Sequence, residues 1–211
     1  MKNQGNKILF LISFVVFLSL VVLPYTVAVA ATATDQINLS VTVDSTISLG
    51  CGADVGFGTL VAGTPILGSS TCTVTTNSED GYDLQVKRDD VDTTMDKDGE
   101  DTTNIDDKTA WDPTSNSGDG NAATWSATGL AFGVFSSTAT KDETWWGTGG
   151  TYDAGSNKYA GFSSTYTTIM DHDSYSATST TTGISYKLDV PSTQKSGAYS
   201  GSITYQVTTK P

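Results

Sequence analysis

Residues 70–87 read STCTVTTNSEDGYDLQVK. Polar and apolar residues alternate, a turn interrupts, and the alternation resumes. Cys72, Val74 and Thr76 fall on one face of a first strand, and Tyr82, Leu84 and Val86 on one face of a second. A period of two is the mark of a half-buried strand. Asn77, Asp80 and Gly81 tolerate positive φ at little cost, so the stretch predicts a β-hairpin.

The same period recurs on both sides. Ile37, Leu39, Val41 and Val43 in INLSVTV (37–43) predict another half-buried strand. TISLGC and DVGFGTLVAG predict extended chain with glycines at bulges or turns. Leu130, Phe132 and Val134 alternate, as do Ile184, Tyr186, Leu188 and Val190. After the loop PSTQKSGA, Tyr199, Ile203, Tyr205 and Val207 continue the pattern at a hairpin-compatible distance. Beyond the N-terminal segment there is no helical period and no internal repeat. Many short strands with Gly-rich turns predict an all-β fold, an antiparallel immunoglobulin-like β-sandwich. The strand Ile203–Val207 is expected to complete its own sheet, since strict alternation needs a buried face.

Two stretches break the pattern. Residues 89–128 begin DDVDTTMDKDGEDTTNIDDKTAWDPTSNSGDG and have no sustained period. They predict a long acidic surface insertion, with a short strand or turn of helix near Ile105. ETWWGTGGTYDAGSNKYAGF (143–162) predicts a Gly-rich hairpin or loop carrying exposed aromatics.

The N-terminus sets the compartment. Lys2 and Lys7 precede ILFLISFVVFLSLVVL, Pro24 breaks the run, and AVAA follows at 28–31. Charged n-region, apolar h-region and small-residue cleavage site make a secretory signal peptide, residues 1–30, with Ala33 as a second cleavage position. The apolar run also approaches the length of a membrane span, so an uncleaved anchor is the alternative. A type IV pilin leader would carry a glutamate just inside the apolar run, and none is there. The remaining residues, 31–211, about 180 in number, suit one domain with a proper core. They are expected outside the cytoplasm, at the cell surface or wall, and near a membrane only through the leader.

The chain carries a net charge of −12, and losing Lys2 and Lys7 with the leader makes it more acidic. Such a surface repels nucleic acid. Cys51 and Cys72 are the two cysteines. An oxidising compartment favours their pairing, and nothing basic lies near either in sequence to make a reactive thiolate. A disulfide closing that loop contributes on the order of 3 kcal/mol.

Catalytic candidates are few. His172, in MDHDSY, is the one histidine. Gly-x-Ser-x-Gly is absent, and zinc would need more His or Cys than remain after pairing. In extended chain Asp171 and Asp173 point one way and His172 the other. No enzyme is expected. The segment DVDTTMDKDGED concentrates hard oxygen ligands, so Asp92, Asp96, Asp98, Glu100 and Asp101 are candidate calcium ligands, and otherwise a solvated acidic loop. An EF-hand does not fit: with Gly99 sixth, Thr94 stands first and Ile105 twelfth. Trp111, Trp145 and Trp146 lie in polar, Gly-rich surroundings. Such aromatics serve as ligand-binding platforms or cap the open ends of sandwiches, and Trp125 is a core candidate.

KLDVPSTQKSGAYSGSITYQVTTKP (187–211) resembles the end of WxL domains, the cell-wall-associated domains of Gram-positive bacteria. Tyr205-Gln206-Val207 stands where that family carries its final Trp-x-Leu. Tyr82-Asp83-Leu84, after Gly81, is similar to the earlier one, with tyrosine for both tryptophans and valine for the second leucine. Cys51 to Cys72, with FGTL between, looks a little like spore coat U and fimbrial domains. These resemblances imply a secreted, non-enzymatic surface or cell-wall-associated protein with a structural or adhesive role. Its partners would be an envelope polymer, surface proteins or further copies of the chain. A carbohydrate-binding module and a filament subunit are the alternatives.

Overall fold

The computed structural model describes residues 31–92, 94–98 and 100–211, without the side chains of 100–102. The expected signal peptide, residues 1–30, lies outside them. Residues up to Thr42 and those from Val43 onward form two units. In the first, residues 31–42 belong to no strand. This corrects the half-buried strand expected at 37–43. Ile37, Leu39, Val41 and Val43 are 82, 93, 88 and 76 % exposed. Alternation identifies a segment able to form a strand, but a strand exists only where an edge pairs with it.

The second unit is built from antiparallel strands. β1 (Ile47–Cys51), β2 (Ile66–Thr76), β10 (Ser176–Asp189) and β7 (Gly129–Ser137) lie side by side in that order. β12 (Ile203–Thr209), β3 (Tyr82–Arg88) and β9 (Thr167–His172) form a second sheet. A smaller sheet joins β11 (Tyr199–Ser200), β4 (Thr94–Lys97) and β5 (Glu100–Asp106), and β6 (Ala123–Thr124) pairs with β8 (Lys158–Tyr159). One helical turn, α1 (Glu143–Trp146), is capped by Asp142, whose carboxylate accepts from the Thr144 and Trp145 amides.

The faces are those expected from the period of two. Cys72, Val74 and Thr76 on β2, and Tyr82, Leu84 and Val86 on β3, are buried. They share one core with Phe132, Val134, Ile184, Tyr186, Ile169 and Met170. Two hydrogen bonds cross between the large sheets: Tyr82 Oη to Thr180 Oγ1 at 2.5 Å, and Tyr186 Oη to Tyr205 Oη at 2.7 Å.

The partners differ from expectation. β2 and β3 form no hairpin, because β2 pairs with β1 and β10 while β3 pairs with β12 and β9. Residues 77–81 carry the chain from one sheet to the other. Both strands present an apolar face to the same interior, so the alternation is identical for a hairpin and for such an arch. Asn77 anchors the crossing: its amide donates to Thr46 O, and its side-chain oxygen accepts from the Thr46 amide. Gly81, at φ +83°, is required there, since a Cβ would lie 1.9 Å from His172 O. Likewise β10 and β12 do not pair with each other, and Tyr199 leaves the pattern to join β4. β12 does enter a sheet of its own chain, with Ile203 opposite Arg88 and Thr209 opposite Tyr82.

The acidic insertion is more ordered than its composition suggests. β4 and β5 pair within it, and Ile105 is buried. Asp107 ties it to the body through a 2.7 Å ion pair with Arg88, both side chains being buried.

Candidate functional site

The expected staple is present. Cys51 and Cys72 are directly opposite on β1 and β2, their Cα atoms 4.0 Å apart, and are joined by a disulfide. It fixes β1, a five-residue edge strand, to the body. A disulfide fits an oxidising, extracellular setting.

The tryptophans divide. Trp111 and Trp146 are buried, so of the two roles open to them, binding platform or packed cap, they take the packed one. Their indoles lie 4.5 Å apart, and each N–H reaches an edge carbonyl of β9: Trp111 Nε1 donates to Thr168 O at 2.8 Å, Trp146 Nε1 to Ile169 O at 2.9 Å. An edge strand offers unpaired carbonyls, and a buried indole needs an acceptor, so each satisfies the other. The Gly-rich loop is thus an edge cover, with Phe162 and Tyr159 buried beside it. Trp125 is half-buried, with Lys108 and Lys187 over its ring at 4.8 and 5.3 Å. Sequence alone could not separate these roles, because the acceptors lie on a distant strand.

Trp145 is half-buried and lines an open cleft of about 750 Å³. Ala139, Ile169 and Met170 provide apolar lining, and Lys141, Asp142, Glu143, Asp171 and Asp173 add charge. Most of these polar groups already have structural duties. Lys141 Nζ donates to Gly149 O at 2.6 Å, and Trp145 Nε1 to Gly118 O at 2.8 Å. Burial lowers the Lys141 ammonium below the usual lysine range. Asp171 and Asp173 both accept from Lys210, with Asp83 at 3.8 Å. Burial works against the Lys210 charge, but Asp171 and Asp173 outweigh it and raise the group above its ordinary value. His172 points elsewhere, 5.1 Å from the Tyr82 ring.

The candidate calcium ligands also separate. Asp92 and Asp96 gather with Asp90, not among the expected ligands, their nearest oxygens within 4.8 Å of one another. The Thr94 hydroxyl contacts both Asp92 and Asp96. Asp98 belongs to the β4–β5 turn, at φ +53°, and accepts from Lys97 at 2.5 Å. The side chains of Glu100 and Asp101 lie outside the described residues.

The tyrosine triplets lie on neighbouring strands, with Val207 opposite Leu84 and Tyr205 opposite Val86. Tyr82 and Leu84 are fully buried. Tyr205 and Val207 are half-buried, in a strand where all seven residues are partly exposed. Burial pushes the Tyr205 hydroxyl far above the usual phenol value. The β12 edge lies along β1, where Ile47 and Leu49 are also half-buried against the core.

Among known proteins, no family matches the chain and no characterised sequence is similar to it.

Proposed function

We propose that the protein is a secreted, non-enzymatic bacterial surface or cell-wall-associated protein, an immunoglobulin-like sandwich with a structural or adhesive role. The observation that carries this reading is the employment of its chemically capable side chains in holding sheets together. Trp111 and Trp146 cover an edge, Tyr82 bridges the two sheets, and Asp171 and Asp173 hold Lys210. A disulfide-stapled antiparallel body with these groups committed to structure is suited to bearing load outside the cell. The test is fractionation of cells making the full chain. Retention on the envelope, or in shed surface material, supports the reading; accumulation of unmodified chain in the cytoplasm overturns it.

A second reading has its own observation. Trp145 offers part of an aromatic face at the open cleft, beside carboxylates. That arrangement suits a sugar, which stacks its apolar face on an aromatic ring. In pulldowns with insoluble peptidoglycan and cellulose, binding that Trp145→Ala abolishes without lowering the melting temperature would favour a carbohydrate-binding module.

A further inference from the structure

The large sheets have four outer edges. The β9 edge is capped by Trp111 and Trp146. The β7 edge is bridged by Ala160, which exchanges both backbone hydrogen bonds with Phe132 at 2.9 Å. The β1 and β12 edges adjoin each other without pairing. Among the described residues, no backbone hydrogen bond is made to the outer edge of β12.

Natural sheets protect open edges with charge, proline, bulges or brevity. β12, ITYQVTT, is seven residues long, without charge, proline or register shift, and five of the seven are β-branched. Its inward residues Ile203, Tyr205 and Val207 stay half-buried, whereas Leu84 and Val86 beside them on β3 are sealed. One more strand would complete this face. The chain also carries a strand-forming segment outside any sheet: INLSVTV, also seven residues, uncharged and free of proline, with four exposed aliphatics on one face.

We propose that residues 37–43 of one copy add as a strand to the open β12 edge of a second copy, so that the protein assembles head to tail. Every strand pair among the described residues is antiparallel, and the added strand follows suit. Val43 then lies opposite Ile203, Val41 opposite Tyr205, Leu39 opposite Val207 and Ile37 opposite Thr209. The four aliphatics turn inward over the seam between β12 and β1, and Asn38, Ser40 and Thr42 face solvent. Main-chain hydrogen bonds supply affinity, and alternate side chains supply register. The contact is heterologous, because the donated patch differs from the accepting one. It therefore propagates as a ring or an open filament rather than stopping at a dimer.

The inference rests on the structural reading above, and its test separates the two. The full chain, made in an exporting bacterium, should run as a concentration-dependent series of oligomers. Leu39→Asp and Val41→Asp should each convert it to monomer. Both positions are solvent-exposed, so the melting temperature of the monomer should be unchanged. Mixing Ser40→Cys protein with Gln206→Cys protein under mild oxidation should give a covalent pair containing one of each, well above what either gives alone. Three results would overturn the proposal: a monomer at every concentration, oligomers that survive Leu39→Asp, or a Ser40→Cys/Gln206→Cys double variant that closes within one chain. A monomer retained on the envelope would reject strand donation and leave the surface role standing. Strand-linked oligomers found only in the cytoplasm would do the reverse.

Discussion

Tyr186 stands between two partners, 2.9 Å from Ser70 Oγ and 2.7 Å from Tyr205 Oη. Removing either phenol should therefore have unequal effects. In Tyr205→Phe the Tyr186 hydroxyl keeps Ser70, so the loss is one hydrogen bond, about 1 kcal/mol. In Tyr186→Phe two bonds are lost. Ser70 is half-exposed and can turn to water, but the Tyr205 hydroxyl has no other hydrogen-bond partner among the described residues and is left buried. An orphaned buried hydroxyl adds about 1–3 kcal/mol, so this variant should lose about 2–4 kcal/mol. The double variant removes the orphan together with its cause. It should be no less stable than Tyr186→Phe alone, giving a coupling of about 1 kcal/mol or more. Urea unfolding of all four proteins measures these quantities, with the m-value held constant as the check that only stability changed. Strict additivity, or a larger loss in Tyr205→Phe than in Tyr186→Phe, would refute the assignment of Tyr186 as the shared partner. Strong release of Tyr205→Phe protein from cells with no loss of stability would instead point to an envelope contact at that hydroxyl.

Replacing both Cys51 and Cys72 by Ala should lower stability by about 3 kcal/mol, measured by denaturant unfolding, since the bond closes a loop with a sequence separation of 21. Burial holds the Asp107 carboxyl up at about 7 even with Arg88 beside it, against an ordinary 3.8. The folded chain holds that proton more tightly than the unfolded chain, so Asp107's contribution to stability falls as pH rises from about 4 towards 7. Wild-type stability minus that of Asp107→Asn should decline across that window in a pH series of urea melts, and a flat difference would contradict it. If Asp90, Asp92 and Asp96 take up calcium, calorimetry should show a melting temperature that rises at millimolar calcium and reverts on chelation, an effect lost in Asp92→Asn.

Faces were legible in the sequence, and partners were not. Cys72, Val74, Thr76, Tyr82, Leu84 and Val86 are buried as their period requires. The same period gave no information on whether residues 77–81 turn within one sheet or cross to another. That choice depends on contacts far along the chain, such as Asn77 with Thr46 and Gly81 against His172. The disulfide was readable because two cysteines allow only one pairing. For Trp111 and Trp146 packing and ligand binding were both open in the sequence, and their polar surroundings gave no sign that they end on the carbonyls of β9. Asp107 is the converse: an acid in an acidic run, indistinguishable from its neighbours until Arg88 is placed against it. At 37–43 the alternation was real and the inference of burial within the domain was premature. A strand signal says that a face wants covering, and says nothing about which copy of the chain provides the cover.

The charge of the chain gives strand donation a further consequence. At net −12, two copies repel one another on approach. Neither the donated segment nor the accepting strand carries a charge, so the contact itself has no ion pair to lose. Salt should then act on the repulsion alone. With the screening length shrinking from about 30 Å at 0.01 M to about 8 Å at 0.15 M ionic strength, association should quicken and oligomers should lengthen. The hydrophobic part of the contact works in the same direction, since apolar burial is not weakened by simple salt and is strengthened by sulfate. Light scattering of the protein across that range, at fixed protein concentration, reads the effect directly. Assembly that weakens as salt rises would mean that copies are joined through opposite charges, as through Lys210 and its three carboxylates, and not through the neutral strand pair. Leu39→Asp sharpens the distinction. It adds a negative charge and removes an aliphatic anchor, so added salt should restore at most a small part of its assembly.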